Sequence, residues 1–348
     1  MYISGIGIVS ALGRGIGALQ KSLEISMIPE TYSVSKDIFS GGGLPGKMRR
    51  ADRFSKMAAI AAMDAVEDGQ IDVKANPGTL GIILATAFGP HVTAFKFIDD
   101  LITYGEENVS PITFSHSVHN AAVSYITSAL NNQGPVFTIT GFVFLFHQAL
   151  LVAQSWLDEG RCQSVLIGSV DERGEVSDSV FYEMMGGEKK LSIKPFECSP
   201  FPPIVPGEGA AFFVLTKDSS KKEYCKVDGV LHGRNACDEK ASDMYILDAD
   251  GMTGDETPYM NIKEKGVPVS GYSPMFGSTS AISALHCAVA ALTLKNDKVY
   301  ASPVDDNPHG LNLCKAGNRN IRSVTCVKYN CLNERGYIRL EQSKKNGG

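Results

Sequence analysis

The segment GPVFTITGFVFLFHQAL, residues 134–150, joins three structural signals. Its β-branched and aromatic run at Val136–Thr140 predicts a buried strand, Gly141 predicts a turn, and the apolar spacing of Phe146–Glu159 predicts a helix. A turn from a strand into a helix often carries a nucleophile, because the unpaired N–H groups and the dipole of a helix N-terminus stabilise negative charge. At the centre of this turn stands Val143, whose side chain has no reactive group.

The composition is that of an ordinary globular protein with a large core. The 348 residues suggest about two domains or one duplicated unit, and 43% of them are hydrophobic and 20% charged. The net charge of −5 argues against nucleic acids and anionic membranes as partners. No apolar run reaches the roughly 18–20 residues of a membrane span, and the N-terminal MYISGIGIVS predicts a strand rather than a signal peptide. We therefore expect a cytoplasmic protein.

The eight cysteines show no C-x-x-C pair and no regular spacing, which fits reduced and mostly buried thiols. His116 and His119 have a spacing that metal ligands can adopt, but no third ligand is evident. The sequence therefore predicts neither a metal site nor a cofactor.

Short β-branched runs alternate along the chain with segments of helical apolar spacing, which predicts an α/β architecture. The predicted strands are Tyr2–Ser10, Leu80–Thr86, Val136–Thr140, Ser164–Ser169, Ala210–Leu215, Cys225–Leu231, Met244–Leu247, Val267–Gly271, Ser323–Tyr329 and Gly336–Leu340. The predicted helices are Ser55–Glu67, Val92–Thr103, Asn120–Leu130, Phe146–Glu159 and Ser280–Leu294. Residues 33–48 and 174–206 are rich in Gly, Ser, Pro and charge and predict loops.

The order of strand, turn and apolar helix occurs twice. The first occurrence is the opening segment, and the second is VSGYSPMFGSTSAISALHCAVAALTLKND, residues 269–297. This repetition indicates an internal duplication whose boundary lies near residues 217–225. We therefore expect two halves, 1–220 and 221–348.

Five segments of the chain form a recognisable set. They are ISGIGIVSALG (3–13), ADRFSKMAAIAAMDAVEDG (51–69), FSHSVHNAAVSYITSALNNQGP (114–135), KPFECSPFPPIVPGEGAAFFVL (194–215) and GSTSAISALHCAVAALTLKNDKVYASPVDDNP (277–308). In this order and at this spacing they resemble the β-ketoacyl synthases (3-oxoacyl-[acyl-carrier-protein] synthases) of fatty-acid and polyketide synthesis. The resemblance implies the duplicated thiolase fold, an α-β-α-β-α five-layer architecture with mixed sheets.

The resemblance also indicates which catalytic groups are missing. Condensing members use a Cys nucleophile, a His in a His-Gly motif and a second His in a Gly-His turn, for acyl transfer and for decarboxylation with charge stabilisation. Aligned without gaps, these positions hold Val143, Asp250 and Ser278. A family Lys corresponds to Ser273, and the family's Gly-rich gating loop corresponds to Tyr329–Asn333. We expect no condensing activity, and no decarboxylase activity either, because that role is associated with Gln at the Cys position and retained His residues.

Other groups near these positions offer alternative chemistry, each weighed against a structural role. His147, one helical turn after Val143, is more typical of a core histidine than of a base. Thr140 is an alternative nucleophile at the strand end, and Cys331 is one in the gating loop. Asp250 and Ser278 are expected to hydrogen-bond each other, which satisfies buried polar groups without turnover.

Three hypotheses of function follow. The first is a catalytically silent subunit, similar to the chain-length factors of polyketide and aryl-polyene systems, that pairs with an active ketosynthase and shapes its acyl tunnel. The second is a stand-alone acyl-binding or scaffold homodimer with an open apolar cavity at Val143. The third is an acyl-transfer enzyme of altered chemistry based on Asp250, Ser278 or Cys331.

The resemblance implies further that pairing uses the strand before the turn and the helix around Asn120. It also implies an acyl carrier protein as partner, for which the basic KMRR at residues 47–50 is a candidate surface. Bulky groups at the turn either wall an acyl tunnel or fill the space that substrate has vacated. These acyl-pocket candidates are Phe142, Phe144, Phe146, His147, Tyr329 and Cys331.

Overall fold

The computed structural model describes residues 1–40, 46–188, 192–198, 201, 204–219, 222–238, 240–251, 253, 255–304, 306–330, 332 and 334–343, apart from the side chain of Lys47. The strands are β1 Tyr2–Ser10, β2 Gly13–Arg14, β3 Leu80–Thr86, β4 Val136–Thr140, β5 Ser164–Asp171, β6 Gly209–Thr216, β7 Cys225–Gly233, β8 Met244–Leu247, β9 Val269–Gly271, β10 Lys298–Val299, β11 Gly317–Asn318, β12 Ser323–Tyr329 and β13 Arg335–Glu341.

The helices alternate with these strands. They are α1 Gly15–Glu24, α2 Asp37–Ser40, α3 Arg53–Asp68, α4 His91–Tyr104, α5 Pro111–His116, α6 Ala121–Leu130, α7 Leu145–Asp158, α8 Glu175–Met184, α9 Thr257–Glu264, α10 Ser273–Phe276 and α11 Ile282–Asn296. Among the helices that the structure describes, none is long and apolar enough to cross a membrane.

The strand order confirms the duplication. The first half has the order β4-β3-β5-β6-β1, and the second half has the order β9-β8-β12-β13-β7. In each half the first three strands of this order are parallel, and the remaining two pairings are antiparallel. The two sheets are joined where β1 pairs with β7.

The position of each helix relative to the two sheets follows from which of its sides are apolar. Helices α7 and α11 lie between the two sheets, and most of α11 is buried because apolar residues surround it on every side. Helices α3 and α6 cover the outer face of the first sheet, and α9 covers that of the second. The expected α-β-α-β-α arrangement is therefore confirmed.

Several of the expectations about local structure need correction. Strand β4, expected to be buried, lies at the edge of its sheet with Val136, Phe137 and Thr140 exposed. Residues 33–48, expected to form a loop, contain the short helix α2.

The segment 174–206 is not all loop, because Glu175–Met184 forms α8, a helix in which only Ser177 is buried. Helices α1 and α9 were not expected either. Helices α1 and α9 bury only three residues each, so little of their sequence marks them as helices that face a core.

Candidate functional site

The turn between β4 and α7 carries apolar side chains that point in different directions. Val143 is half-buried. Phe142 is 68% exposed, and its ring meets that of Phe88 edge-on, with 5.4 Å between the ring centroids. Phe144 is buried at the helix N-cap with φ 55°, a left-handed conformation that costs a bulky residue about 1–2 kcal/mol. Its ring stacks on His232 at 5.6 Å, and this packing holds it in place.

His147 fills the space behind the turn as a neutral ring. It is buried, and its ring meets that of Phe144 edge-on at 5.5 Å. The backbone of Gly336 closes the site, since a Cβ at that position would lie 2.6 Å from both Nε2 of His147 and Cδ1 of Phe144. Burial lowers the pKa of His147 to about 3. The imidazole is therefore uncharged at neutral pH.

This buried imidazole makes the fold sensitive to acid. Between pH 6.5 and about pH 4 the unfolded chain binds a proton at His147 that the folded chain excludes, so the free energy of unfolding falls as the pH falls. We expect His147→Leu to remove the pH dependence that comes from this imidazole. Between pH 6.5 and about pH 4, the free energy of unfolding should therefore fall by roughly 3 kcal/mol less in the variant than in the wild type. Chemical denaturation at both pH values measures the difference. The control is His119→Leu, which removes an exposed histidine. The assignment is wrong if His147→Leu changes the pH dependence of the free energy of unfolding no more than His119→Leu does.

A buried lysine occupies the region of the expected first His. Lys328 extends from β12 and places its ammonium 3.0 Å from Oδ2 of Asp250 and 3.2 Å from Oδ2 of Asp248. Ala249, between the two aspartates, has φ 42°, a left-handed conformation that non-glycine residues rarely adopt. The Asp250 carboxylate is therefore one side of a buried ion pair and is unsuited to act as a free base.

Asp248 ties this ion pair to α11. Its Oδ2 accepts a hydrogen bond from Oγ of Ser283 at 2.7 Å, and its Oδ1 lies 3.1 Å from Nδ1 of His286. Burial alone would raise the pKa of Asp248, but the Lys328 ammonium and the His286 hydrogen bond outweigh it and hold this pKa below its usual range. For Lys328, burial alone would lower the pKa, but Asp250 and Asp248 outweigh it and raise the pKa above its usual range. Asp248 and Lys328 are therefore both charged at neutral pH.

Ser278, at the second expected His position, is held by both backbone and side chain. Its Oγ donates to the backbone carbonyl of Asp250 at 3.0 Å, its N–H donates to the carbonyl of Val205 at 2.7 Å, and its carbonyl accepts from the N–H of Gly207 at 2.9 Å. The hydrogen bond between Ser278 and Asp250 was expected, but it goes to the carbonyl, because the carboxylate pairs with Lys328. Ser273, at the family Lys position, is buried and donates to the carbonyl of Ala249 at 2.5 Å.

The cavity beside Ser278 is too small for substrate. Its volume is about 10 Å³, which is the space of one water molecule. It is lined by Phe88, Asp171, Glu172, Ser177, Phe181, Pro206, Gly207, Thr279 and Ser280. Burial raises the pKa of Glu172 to about 8, so this lining carboxyl is largely protonated at neutral pH.

The other predicted residues are not brought together with these groups. Phe146 packs its ring on Phe213 at 5.4 Å in the core between the sheets. Tyr329 meets Tyr259 at 6.2 Å on the outer face of the second sheet. Thr140 is exposed at the end of β4, and Cys331 lies outside the described residues.

The two candidate metal ligands have separate surroundings. Nε2 of His116 lies 2.6 Å from the hydroxyl of Tyr125. The ring of His119 lies against Gly89, where a Cβ would be 2.6 Å from Cδ2. Within the part of the chain that the structure describes, no group of three His, Cys, Asp or Glu side chains is placed to hold a metal ion.

Sequence reasoning missed Lys328, Asp248 and His286. One signal was available for the lysine. It lies inside SVTCVKY, a strand buried on both faces, where a lysine is almost never buried without an ionic partner. Its partners could not be identified, because they lie about eighty positions earlier in the chain.

Comparisons with known proteins agree with this architecture. Residues 44–182 match the family described as β-ketoacyl synthase, N-terminal domain. The 3-oxoacyl-[acyl-carrier-protein] synthase 2 of Staphylococcus aureus (strain COL) is 24% identical over 151 residues, which cover 39% of this chain. The matched stretch spans 36% of the length of that relative.

Two solved structures match over nearly the whole chain. A β-ketoacyl synthase from Burkholderia phymatum STM815 superposes with a TM-score of 0.81 over 99% of each chain, at 15% identity. The chain has the β-ketoacyl synthase fold. A second structure, the ishigamide ketosynthase/chain length factor, superposes with a TM-score of 0.80 over 98% of each chain, at 14% identity. On this ketosynthase fold, the three expected catalytic positions hold an aliphatic side chain, an ion-paired carboxylate and a hydrogen-bonded hydroxyl.

Proposed function

We propose that this chain is a catalytically silent ketosynthase-like subunit of a fatty-acid or polyketide pathway, of the kind found in aryl-polyene systems. It acts beside an active ketosynthase, as a chain-length factor does. The proposal rests on the expected correspondence of three positions: aligned by sequence, Val143, Asp250 and Ser278 take the places of the Cys, His and His of condensing enzymes. The β-ketoacyl synthase fold around them supports it. Valine cannot form a thioester, and neither of the other two groups offers an imidazole.

The buried ion pairs of Lys328 with Asp248 and Asp250 support a catalytically silent role rather than an enzyme of altered chemistry. A substituted site that retained activity would need an accessible base or nucleophile. Here Asp250 is paired with Lys328, Ser278 is hydrogen-bonded, and the adjoining cavity has room for about one water molecule. Phe144 and His147 fill the space behind the turn, which disfavours the stand-alone acyl-binding hypothesis.

The outermost strand of the first sheet supports a role in pairing. Among the described residues β4 pairs only with β3, so its other edge is free. Val136 and Phe137 on this strand are 48% and 49% exposed. A free, apolar strand edge is a site for strand pairing with another chain. We propose that the active ketosynthase pairs here and that the acyl carrier protein delivers its cargo to that partner.

Isolation from the native cells through a tag on this chain tests the proposal. We expect a one-to-one complex with a chain that carries the Cys and both His of condensing enzymes. Phe137→Asp places a charge on the free strand and should weaken that complex at least about 100-fold, or by about 2.7 kcal/mol. The matched control is Ile25→Asp, which changes a 74% exposed apolar residue on another part of the surface. A wild-type protein that forms only homodimers, with no ketosynthase bound, would contradict the proposal.

A further inference from the structure

Helices α4 and α5 form a hairpin whose apolar side chains are largely uncovered. In the fourteen-residue α4 only His91 is buried, and α5 has no buried residue. Single exposed apolar residues are normal, but a contiguous set marks an interaction surface. We call this surface the hairpin face; it consists of Val92, Phe95, Ile98, Leu101, Ile102, Tyr104, Ile112 and Phe114.

Three apolar residues form a stripe along α4 that the described part of the chain leaves 44% or more exposed. Phe95, Ile98 and Ile102 are spaced three and four residues apart and are 44%, 44% and 77% exposed. A helix of a monomeric protein normally buries such a stripe. The hairpin is held together by a different contact, between the rings of Phe97 and Phe114 at 5.4 Å. The stripe is therefore not needed to close the hairpin.

The rim of the hairpin face is acidic. Asp99, Asp100, Glu106 and Glu107 lie on α4 and the turn after it, and Lys96 is the only lysine or arginine between His91 and His116. One lysine against four carboxylates gives −3, out of −5 for the whole chain. Lys96 pairs with Asp100 at 3.5 Å. A partner that covers the apolar stripe must therefore bring positive charge to its edge, and a second copy of the same face would be repelled.

The hairpin face continues into the surface beside β4. A groove of about 510 Å³ runs between α5 and α6, and a second of about 390 Å³ runs along α6 to the start of β4. The grooves share Ser124 and Ser128. One partner seated on the β4 edge can therefore extend along α6 to the hairpin.

We infer that the hairpin face selects the partner: it docks on a different chain that offers an apolar groove edged by lysine and arginine, and it disfavours a second copy of this chain. The inference rests on the proposed function for the identity of that chain, the active ketosynthase at β4. The apolar stripe supplies the affinity, and the acidic rim supplies the discrimination and the rate of association.

Two sets of surface variants test the inference on the complex isolated from native cells. Phe95→Ser with Ile102→Ser removes the stripe, and we expect a dissociation constant at least about 30-fold higher than that of the wild type. Glu106→Lys with Glu107→Lys reverses the rim, and we expect association at least about tenfold slower, with the salt dependence reduced. The controls, on an exposed segment elsewhere, are Ile25→Ser for the first set and Glu30→Lys for the second. Thermal melts confirm that each variant folds.

The outcomes separate this inference from the proposed function. If Phe137→Asp dissociates the ketosynthase while both hairpin variants bind like the wild type, the inference is wrong and the proposed function stands. If the purified chain forms a homodimer that the hairpin variants dissociate, a second copy covers the face and the inference is again wrong. If the wild type binds a partner with a basic edge that is not a ketosynthase, and both hairpin variants lose it, the proposed function is wrong and the inference stands.

Discussion

Lys328→Met is expected to lower the free energy of unfolding by about 3–5 kcal/mol. The methionine keeps most of the aliphatic stem but removes the ammonium that lies between Asp248 and Asp250. Both carboxylates are buried, so the variant would leave two like charges close together without the ammonium that lies between them. One of them must take up a proton or draw in water, and either response costs stability. Denaturant unfolding at neutral pH, with the slope checked against the wild type, measures the loss.

Two further variants show whether the loss comes from the charges. Lys315→Met changes an exposed lysine and should alter stability by no more than about 0.5 kcal/mol. Asp250→Asn combined with Lys328→Met removes one charge of each sign, while Asp248 keeps its hydrogen bonds with Ser283 and His286. The double variant should therefore be more stable than Lys328→Met alone. A loss in Lys328→Met no larger than that in Lys315→Met would show that the ion network is unimportant for stability.

Gly277→Ala is expected to cost about 3 kcal/mol or more, as the sum of backbone strain and overpacking. Gly277 precedes Ser278 and has φ 82°, a conformation that favours glycine. A Cβ there would lie 2.8 Å from Cα of Gly207 and 2.9 Å from Cβ of Tyr32. Neither neighbour is the free end of a flexible side chain. The turn is thus retained by backbone packing, independently of any catalytic group.

Gly310→Ala separates the backbone strain from the overpacking in the loss of stability expected for Gly277→Ala. Gly310 also has a positive φ, 62°, but the nearest atom to its Cβ would be Nζ of Lys263 at 3.4 Å, which can move. This variant should cost about 1 kcal/mol, the strain alone. Denaturant unfolding of both variants supplies the comparison. Equal losses would show that the close approach of Gly277 to Gly207 does not constrain the turn.

Periodicity and β-branching were sufficient to predict the frame that holds the site. Leu80–Thr86, Val136–Thr140, Met244–Leu247 and Ser323–Tyr329 have in the structure the bounds expected from sequence. These strands are short runs between clear breakers, so their ends are well marked. Helix α7 ends at Asp158, within one residue of its predicted end, and Gly160 after its C-cap has φ 70°, the left-handed conformation typical of that position.

The chemistry of the site was less predictable. The sequence predicted Asp250 and Ser278 as substituted positions, but not that the Lys328 ammonium reaches Asp250 from β12. Charge pairing between distant segments leaves no periodic signal. The turn residues show the same limit: Phe142, Phe144 and Phe146 alternate in sequence, yet their rings contact Phe88, His232 and Phe213 respectively. Side-chain direction at a turn depends on tertiary packing.

The most direct measurement of the central claim is covalent labelling of the isolated complex. The complex is incubated with an acyl carrier protein that carries a labelled acyl chain, and the subunits are then separated and analysed by intact mass spectrometry. The proposed silent role predicts a thioester on the Cys of the partner ketosynthase and no acyl group on this chain, because Val143 is expected to take the position of the nucleophile. An acyl group bound covalently to this chain, whether at Cys331, Thr140 or another residue, would contradict it.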